Sequence, residues 1–212
     1  MIVLYPCTRM PYYKDINTLF IHIPKTGGTS LENYLRTKSS ESLMSGHGNT
    51  VLPTEELRNK SLQHQSYQII YQYRDLLGVS FDSDLKIITI VRNPYHRIIS
   101  DLRWFRLIDH TSSKKRIHEI MKKFIQDDIY DNHNVPQYRF ITDSNESLIP
   151  GITIFRTETL TKNLHSYGFK DYRGPASDNT YMEYLNEDSI RLINETYRKD
   201  FELFRYDMIS TS

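Results

Sequence analysis

One short segment of the sequence combines a lysine, two adjacent glycines and three hydroxyl side chains. It reads Pro-Lys-Thr-Gly-Gly-Thr-Ser over residues 24–30. Glycine lets a main chain fold closely around an anion, because it adopts backbone angles that other residues avoid. A lysine adds positive charge, and hydroxyl groups add hydrogen-bond donors. We therefore predict a phosphate-binding loop formed by Lys25, Thr26, Gly27, Gly28, Thr29 and Ser30.

The order of these residues differs from that of the common nucleoside-triphosphate loop. A Walker A loop requires glycine, four residues, glycine, lysine and then serine or threonine. Here Lys25 precedes the glycine pair, and no part of the sequence matches the Walker pattern. This order disfavours an ATPase or a kinase. A glycine-containing turn with a solvated lysine is the structural alternative.

A second candidate anion site lies at Arg92-Asn93-Pro94. Arg92 follows a β-branched run, and Pro94 redirects the chain into a predicted helix that carries Ser100. A guanidinium and a hydroxyl placed in this way could bind a second phosphate. A strand-to-helix turn with a surface arginine is the alternative.

Both segments need a scaffold that brings them to one edge of a sheet. Residues 19–23, 86–91 and 152–155 are short β-prone runs, and helical patterns separate and follow them. This alternation is typical of an α/β domain with a central parallel sheet flanked by helices. Ligands bind at the carboxyl ends of such strands. The sequence therefore predicts one α/β domain over residues 1–212.

Local signals place the helices. Thr29 and Glu32 have the spacing of a capping box, which predicts the start of the first helix. Asn186 has the character of an N-cap for the last long helix. A polar loop is expected over residues 37–50. The other predicted helices cover residues 66–77, 95–108, 114–126 and 158–167.

Composition limits the classes of partner. The formal net charge is +1 at pH 7, which argues against nucleic acid as the main partner. The single cysteine, Cys7, cannot form an internal disulfide. No apolar run approaches the roughly 20 residues that span a bilayer, and no secretory signal is recognisable. We expect a soluble, cytoplasmic protein without an integral membrane segment.

The two loops together resemble those of the sulfotransferases that use PAPS (3'-phosphoadenosine-5'-phosphosulfate). The similarity is greatest to the carbohydrate branch, including the heparan and uronyl 2-O-sulfotransferases. Weaker similarities lie at residues 64–67 (HQSY), 133–137 (HNVPQ) and 197–206. The resemblance therefore extends over a core of about 19–206 and implies a three-layer, P-loop-like fold.

The resemblance also implies roles for individual residues. Residues 25–30 match the loop that holds the 5'-phosphosulfate of the donor. Arg92 and Ser100 match the pair that binds its 3'-phosphate. The family needs no metal, and no compact cluster of histidine, cysteine and aspartate with ligand spacing is visible in the sequence.

A catalytic base and an acceptor remain to be assigned. His64 is the first choice for the base, because imidazole titrates near neutral pH and the segment resembles the one that carries the catalytic histidine. His47 is the second choice. His133 and Gln137 could line the acceptor cleft or merely begin a helix. Arg97, Arg103 and Arg106 could divide between core packing and a basic helix face.

The sequence predicts an O-sulfotransferase that transfers the sulfuryl group of PAPS, leaving PAP, to an acceptor hydroxyl. A glycan is the first choice of acceptor, and a tyrosine, a lipid or a small metabolite stays open. Two other functions also stay open: a P-loop-like ATP-dependent kinase, and a non-catalytic domain that binds PAP or a glycan. The oligomeric state does not follow from the sequence.

Overall fold

A computed structural model of the chain describes residues 9–40, 42–44, 54, 60–174 and 180–211. Within these residues the strands form one five-stranded sheet. The strands are β1 (Arg9–Tyr13), β2 (Thr18–Ile21), β3 (Ser42–Met44), β4 (Lys86–Val91) and β5 (Thr153–Arg156).

The sheet has the strand order β3-β1-β2-β4-β5. Its centre is parallel, because β4 pairs in parallel with both β2 and β5. The predicted parallel sheet is confirmed for these three strands. β1 is antiparallel to β2 and to β3, so the whole sheet is mixed. The expectation of a loop over residues 37–50 is wrong at its start, where the first helix continues to Lys38, and at β3, which acquires its extended form by pairing with β1. Residues 45–50 of that segment lie outside the described residues.

Eight α-helices lie among the described residues, and most agree with the predicted segments. The predicted helix over residues 66–77 is two helices that meet at Tyr73, and the helix predicted to end at Ile108 ends at Trp104. The helices are α1 (Gly28–Lys38), α2 (Tyr67–Gln72), α3 (Arg74–Leu77), α4 (Pro94–Trp104), α5 (Lys114–Gln126), α6 (Leu160–Tyr167), α7 (Glu187–Thr196) and α8 (Arg198–Phe204).

Helices cover both faces of the sheet. Phe20 of β2 packs with Leu31 and Leu35 of α1 and with α6, whereas Leu19 and Ile21 face the opposite side. This alternation follows from the two-residue period of a strand. Each fully buried leucine contributes roughly 1.5–3 kcal/mol of burial free energy. The predicted three-layer α/β fold is confirmed.

A second group of helices packs beside the sheet and holds α4 in place. α4, α5, α7 and α8 bury one another's apolar faces, with Leu102, Met121, Ile193 and Phe201 at most 1% exposed. Among the described residues, no helix combines the length and apolar character needed to cross a membrane.

The carboxyl end of β4 is fixed by a fully buried glutamine. The side chain of Gln137 accepts a hydrogen bond from the amide of Arg92 and donates one to the carbonyl of Arg92, each at 2.8 Å. Asp200, which is also fully buried, accepts hydrogen bonds from the amides of Gln137 and Tyr138. Burial raises the pKa of Asp200 above its ordinary value. Gln137 therefore supports Arg92 and does not line a cleft.

Replacement of this glutamine tests its structural role. We expect Gln137→Leu to lower the free energy of unfolding by about 2–4 kcal/mol, because two buried backbone groups lose their partners. Chemical denaturation measures the change. The exposed Gln126 provides the matched control, since Gln126→Leu should shift stability by less than about 0.5 kcal/mol. Equal losses in the two variants would contradict this account.

Candidate active site

The glycine-containing loop leads from β2 into the first turn of α1. Gly27 has a φ of 93°, a left-handed conformation, and precedes α1 without any side-chain cap. The amides of the first helical turn are therefore available to an anion, and the helix dipole favours one there. The predicted capping box at Thr29 and Glu32 is wrong, because the helix begins at Gly28 and the Glu32 carboxylate binds other residues.

Two of the three loop hydroxyls hold the loop itself. Thr26 is fully buried and donates to the carbonyl of Ile23 at 2.8 Å. Ser30 donates to the carbonyl of Gly27 at 2.8 Å and contacts the hydroxyl of Tyr172. Thr29 is exposed and lines a cleft, so it is the hydroxyl of this loop that is open to a ligand.

Gly28 is required by a neighbouring side chain. A Cβ atom at this position would lie 2.3 Å from two ring atoms of His22. His22 is fixed in turn by Glu32, whose carboxylate lies 2.6 Å from Nδ1 of the imidazole and also pairs with Arg36. Burial raises the pKa of Glu32, but the hydrogen bond from His22 and the charge of Arg36 outweigh burial and leave it below its usual value.

Arg92 lies beside the glycine-containing loop. Its guanidinium donates to the carbonyl of Lys25 at 3.2 Å and to the hydroxyl of Tyr181 at 2.9 Å. It also lies over the Tyr181 ring, and Arg92 is 8% exposed. Since a guanidinium has five N–H groups, these two bonds leave donors for a further anion. The structure therefore brings together the two segments that the sequence predicted as anion sites.

The face of α4 that carries Ser100 lies against the same loop. Ser100 follows Arg97 by three residues and precedes Trp104 by four, so helical geometry puts the three on one face. Lys25 Nζ lies over the Trp104 ring, 4.1 Å from its centroid. Burial lowers the pKa of Lys25, the carboxylate of Asp101 opposes that shift, and Arg92 adds to it.

Arg97 is buried and is not part of a basic surface. Its guanidinium donates to the carbonyls of Pro24, Val135 and His133 at 3.1, 2.9 and 2.6 Å. Only 2% of the residue is exposed. Of the two alternatives for this series, core packing is the one that Arg97 adopts, because its neighbours offer three backbone carbonyls. Arg103 and Arg106 do line a second, polar pocket, together with Arg116.

A cleft of about 220 Å³ opens where the loop, α4 and the segment around residue 131 meet. It combines one basic side chain, one large aromatic ring and three histidines with a carboxylate. Lys25, Thr29, His64, Trp104, Asp131 and His133 are among its lining residues.

His64 is held in this cleft by Asp131. Its Nδ1 lies 2.7 Å from the Asp131 carboxylate, which also accepts the amide of Ser61. Its Nε2 lies 3.2 Å from Nε2 of Gln63. Because an amide nitrogen donates, Nε2 of His64 is the accepting nitrogen. Burial lowers the pKa of His64, and the hydrogen bond to Asp131 only partly offsets that shift.

His133 is held by Asp101 in the same way that His64 is held by Asp131. Its Nδ1 lies 2.7 Å from the Asp101 carboxylate, and both side chains are at most 7% exposed. Burial lowers the pKa of His133, and Asp101 opposes the shift. The rings of His64 and His133 are perpendicular, with centroids 5.0 Å apart. The sequence left open whether His133 lines a cleft or begins a helix. In the structure its side chain lines the cleft.

The sequence showed no compact cluster of metal-binding side chains, but the fold creates one. Ligand atoms of His64, Asp131 and His133 lie within 4.8 Å of one another. Asp131 and Asp101 were not expected at the site, because nothing in their local sequence points to His64 or His133. His47, the second candidate base, lies outside the described residues.

Comparison with known proteins identifies the family. A family model with the description "Sulfotransferase family" matches residues 12–207. No curated protein and no solved structure matches the chain. The matched range includes the glycine-containing loop, Arg92 and the cleft histidines. The chain belongs to the sulfotransferase family.

Proposed function

We propose that this protein transfers the sulfuryl group of PAPS to a hydroxyl of a carbohydrate acceptor. Membership of the family indicates sulfuryl transfer as the reaction class. The donor, the acceptor class and the residue roles are our inference. One observation carries them: Lys25 of the glycine-containing loop and the carboxylate-held His64 line the same cleft.

The residues of the donor side fit a nucleotide with two separate phosphate groups. The uncapped start of α1 offers amides to the 5'-phosphosulfate. Arg92, next to that loop, has donors left for the 3'-phosphate, and Ser100 is assigned to the same group. When bound, PAPS supplies the sulfuryl group and departs as PAP.

Lys25 is suited to the side of the leaving group. In an in-line transfer, a new bond forms from the acceptor oxygen to sulfur while the bond from sulfur to the departing phosphate oxygen breaks, and negative charge grows on that oxygen. A cation fixed in advance stabilises such charge. Trp104 and Asp101 favour the charged form of Lys25 in this position.

His64 is suited to the acceptor side. Asp131 holds the proton on Nδ1, so Nε2 can accept a hydrogen bond and then the proton of the attacking hydroxyl. In the structure the Gln63 amide occupies that position. The acceptor hydroxyl would replace the amide. After transfer the proton resides on Nε2, and Asp131 stabilises the resulting imidazolium.

The cleft has features that suit a sugar. Trp104 is 63% exposed, which gives the cleft a broad apolar surface beside polar hydrogen-bonding groups. Ligand sites commonly combine an aromatic wall with a few convergent polar groups. The nearby pocket lined by Arg103, Arg106 and Arg116 supports an acceptor that also carries negative charge.

Ligand-induced thermal stabilisation tests the donor. We expect PAP to raise the melting temperature more than 5'-AMP does, and ATP with magnesium to raise it less than PAP. Arg92→Ala should lower the affinity for PAP by about ten- to hundredfold and leave the affinity for 5'-AMP nearly unchanged, because only PAP has a 3'-phosphate. Stabilisation by ATP without stabilisation by PAP would overturn the proposal.

Turnover tests the two residues at the chemistry. PAP release is measured with PAPS and a panel of unsulfated glycosaminoglycan chains, neutral oligosaccharides, a tyrosine peptide and simple alcohols. We expect His64→Ala to reduce kcat about 10²- to 10⁴-fold and Lys25→Ala about 10²- to 10³-fold. The exposed His110 supplies the control, since His110→Ala should retain full activity. Full activity in His64→Ala would remove His64 from the role of base.

The pH dependence tests the protonation state of the base. Because burial lowers the pKa of His64, the base is neutral at pH 7 and loses activity only as the pH falls through that lowered value. We expect the acidic limb of kcat/KM to be centred below pH 6.5, the ordinary pKa of histidine. An acidic limb centred above pH 7 would contradict the assignment.

A further inference from the structure

The free nitrogen of His133 has no assigned task in the reaction described above. An ionised carboxylate only accepts hydrogen bonds, so the contact with Asp101 puts the proton of a neutral His133 on Nδ1. Nε2 is then an acceptor. Among the residues that the structure describes, none donates to it. The side chain is 7% exposed and lines the cleft, so an unpaired acceptor there is costly unless a ligand supplies a donor.

His64 presents a second acceptor to the same space. The two rings lie 5.0 Å apart, and a ring nitrogen of each is within 4.8 Å of the other. Both imidazoles have their Nδ1 protons directed to carboxylates. Two acceptors require two hydrogen atoms, and a single hydroxyl has only one. Two hydroxyls on adjacent carbon atoms provide one hydrogen for each ring, and the two rings are close enough together for one such pair to reach both.

We infer that His133 binds a second hydroxyl of the acceptor, next to the hydroxyl that His64 deprotonates, so that the preferred acceptor is a vicinal diol. This inference rests on the proposed function and narrows its acceptor class. His133 acts as a specificity-determining residue, and Asp101 positions it. Transfer goes to the hydroxyl at His64, while the hydroxyl at His133 keeps its proton.

A matched set of acceptors tests the inference. The best acceptor of the panel described above is compared with its monodeoxy and mono-O-methyl analogues at the neighbouring carbon, with PAP release as the measurement and EDTA present. For the unmodified protein we expect loss of the neighbouring hydroxyl to lower kcat/KM about ten- to hundredfold. Equal rates on the intact and deoxy acceptors would overturn the inference that the acceptor is a vicinal diol. This comparison uses only the unmodified protein, so it does not depend on whether a variant folds.

Variants separate recognition from a merely structural role. In His133→Ala the intact and deoxy acceptors should react within about threefold of each other, because the group that distinguishes them is gone. Structural damage alone would slow both acceptors and preserve their ratio, which would also overturn the inference. His110→Ala should keep the ratio of the unmodified protein.

Two further outcomes bear on the same site. PAP release with no member of the panel would overturn the proposed function and this inference with it, whereas release without discrimination overturns the diol alone. A transition metal could also satisfy both nitrogens together with Asp131. If the preference for the intact acceptor disappeared in EDTA and returned with Zn²⁺, the metal would replace the diol as the ligand of His133.

Discussion

The guanidinium of Arg97 connects the two sides of the cleft. It reaches the carbonyl of Pro24 on the proposed donor side and the carbonyls of His133 and Val135 on the proposed acceptor side, while its own backbone belongs to α4. A buried cation is tolerable only when hydrogen bonds replace its hydration. The three carbonyls therefore must stay where they are, and the loop, the helix and the His133 segment keep fixed relative positions.

The protonation and orientation of the buried histidines depend on their burial and on their pairing with carboxylates. His22, His64 and His133 lie in a row of edge-to-face rings, and each is bonded through Nδ1 to a carboxylate. For His64 and His133, burial is the stronger influence and favours the neutral ring. The carboxylates fix which nitrogen carries the proton. The result is a set of rings with defined orientation and accepting nitrogens, which suits acid–base chemistry better than freely rotating imidazoles.

Much of this arrangement follows from local sequence, because several of its parts are local. The lysine and glycines of the loop, the β-branched run of β4 and the proline after Arg92 each constrain their own backbone, and the strands that could be predicted form the parallel centre of the sheet. β1 and β3 escaped prediction, since both lie at the antiparallel side and β3 is only three residues long. The sequence also did not predict Asp131 and Asp101 as the partners of His64 and His133. Asp131 is 67 residues from His64, and such pairing is decided by the packing of whole elements.

The clash that a side chain at position 28 would make with the ring of His22 couples a residue of the glycine-containing loop to a residue that lines the cleft. Steric exclusion by an imidazole, in addition to any approach of a phosphate, keeps position 28 free of a side chain. Among homologous proteins, a methyl group at position 28 should therefore accompany a smaller residue at position 22. The residues at positions 22 and 28 would then vary together, because a larger side chain at one position is compensated by a smaller side chain at the other.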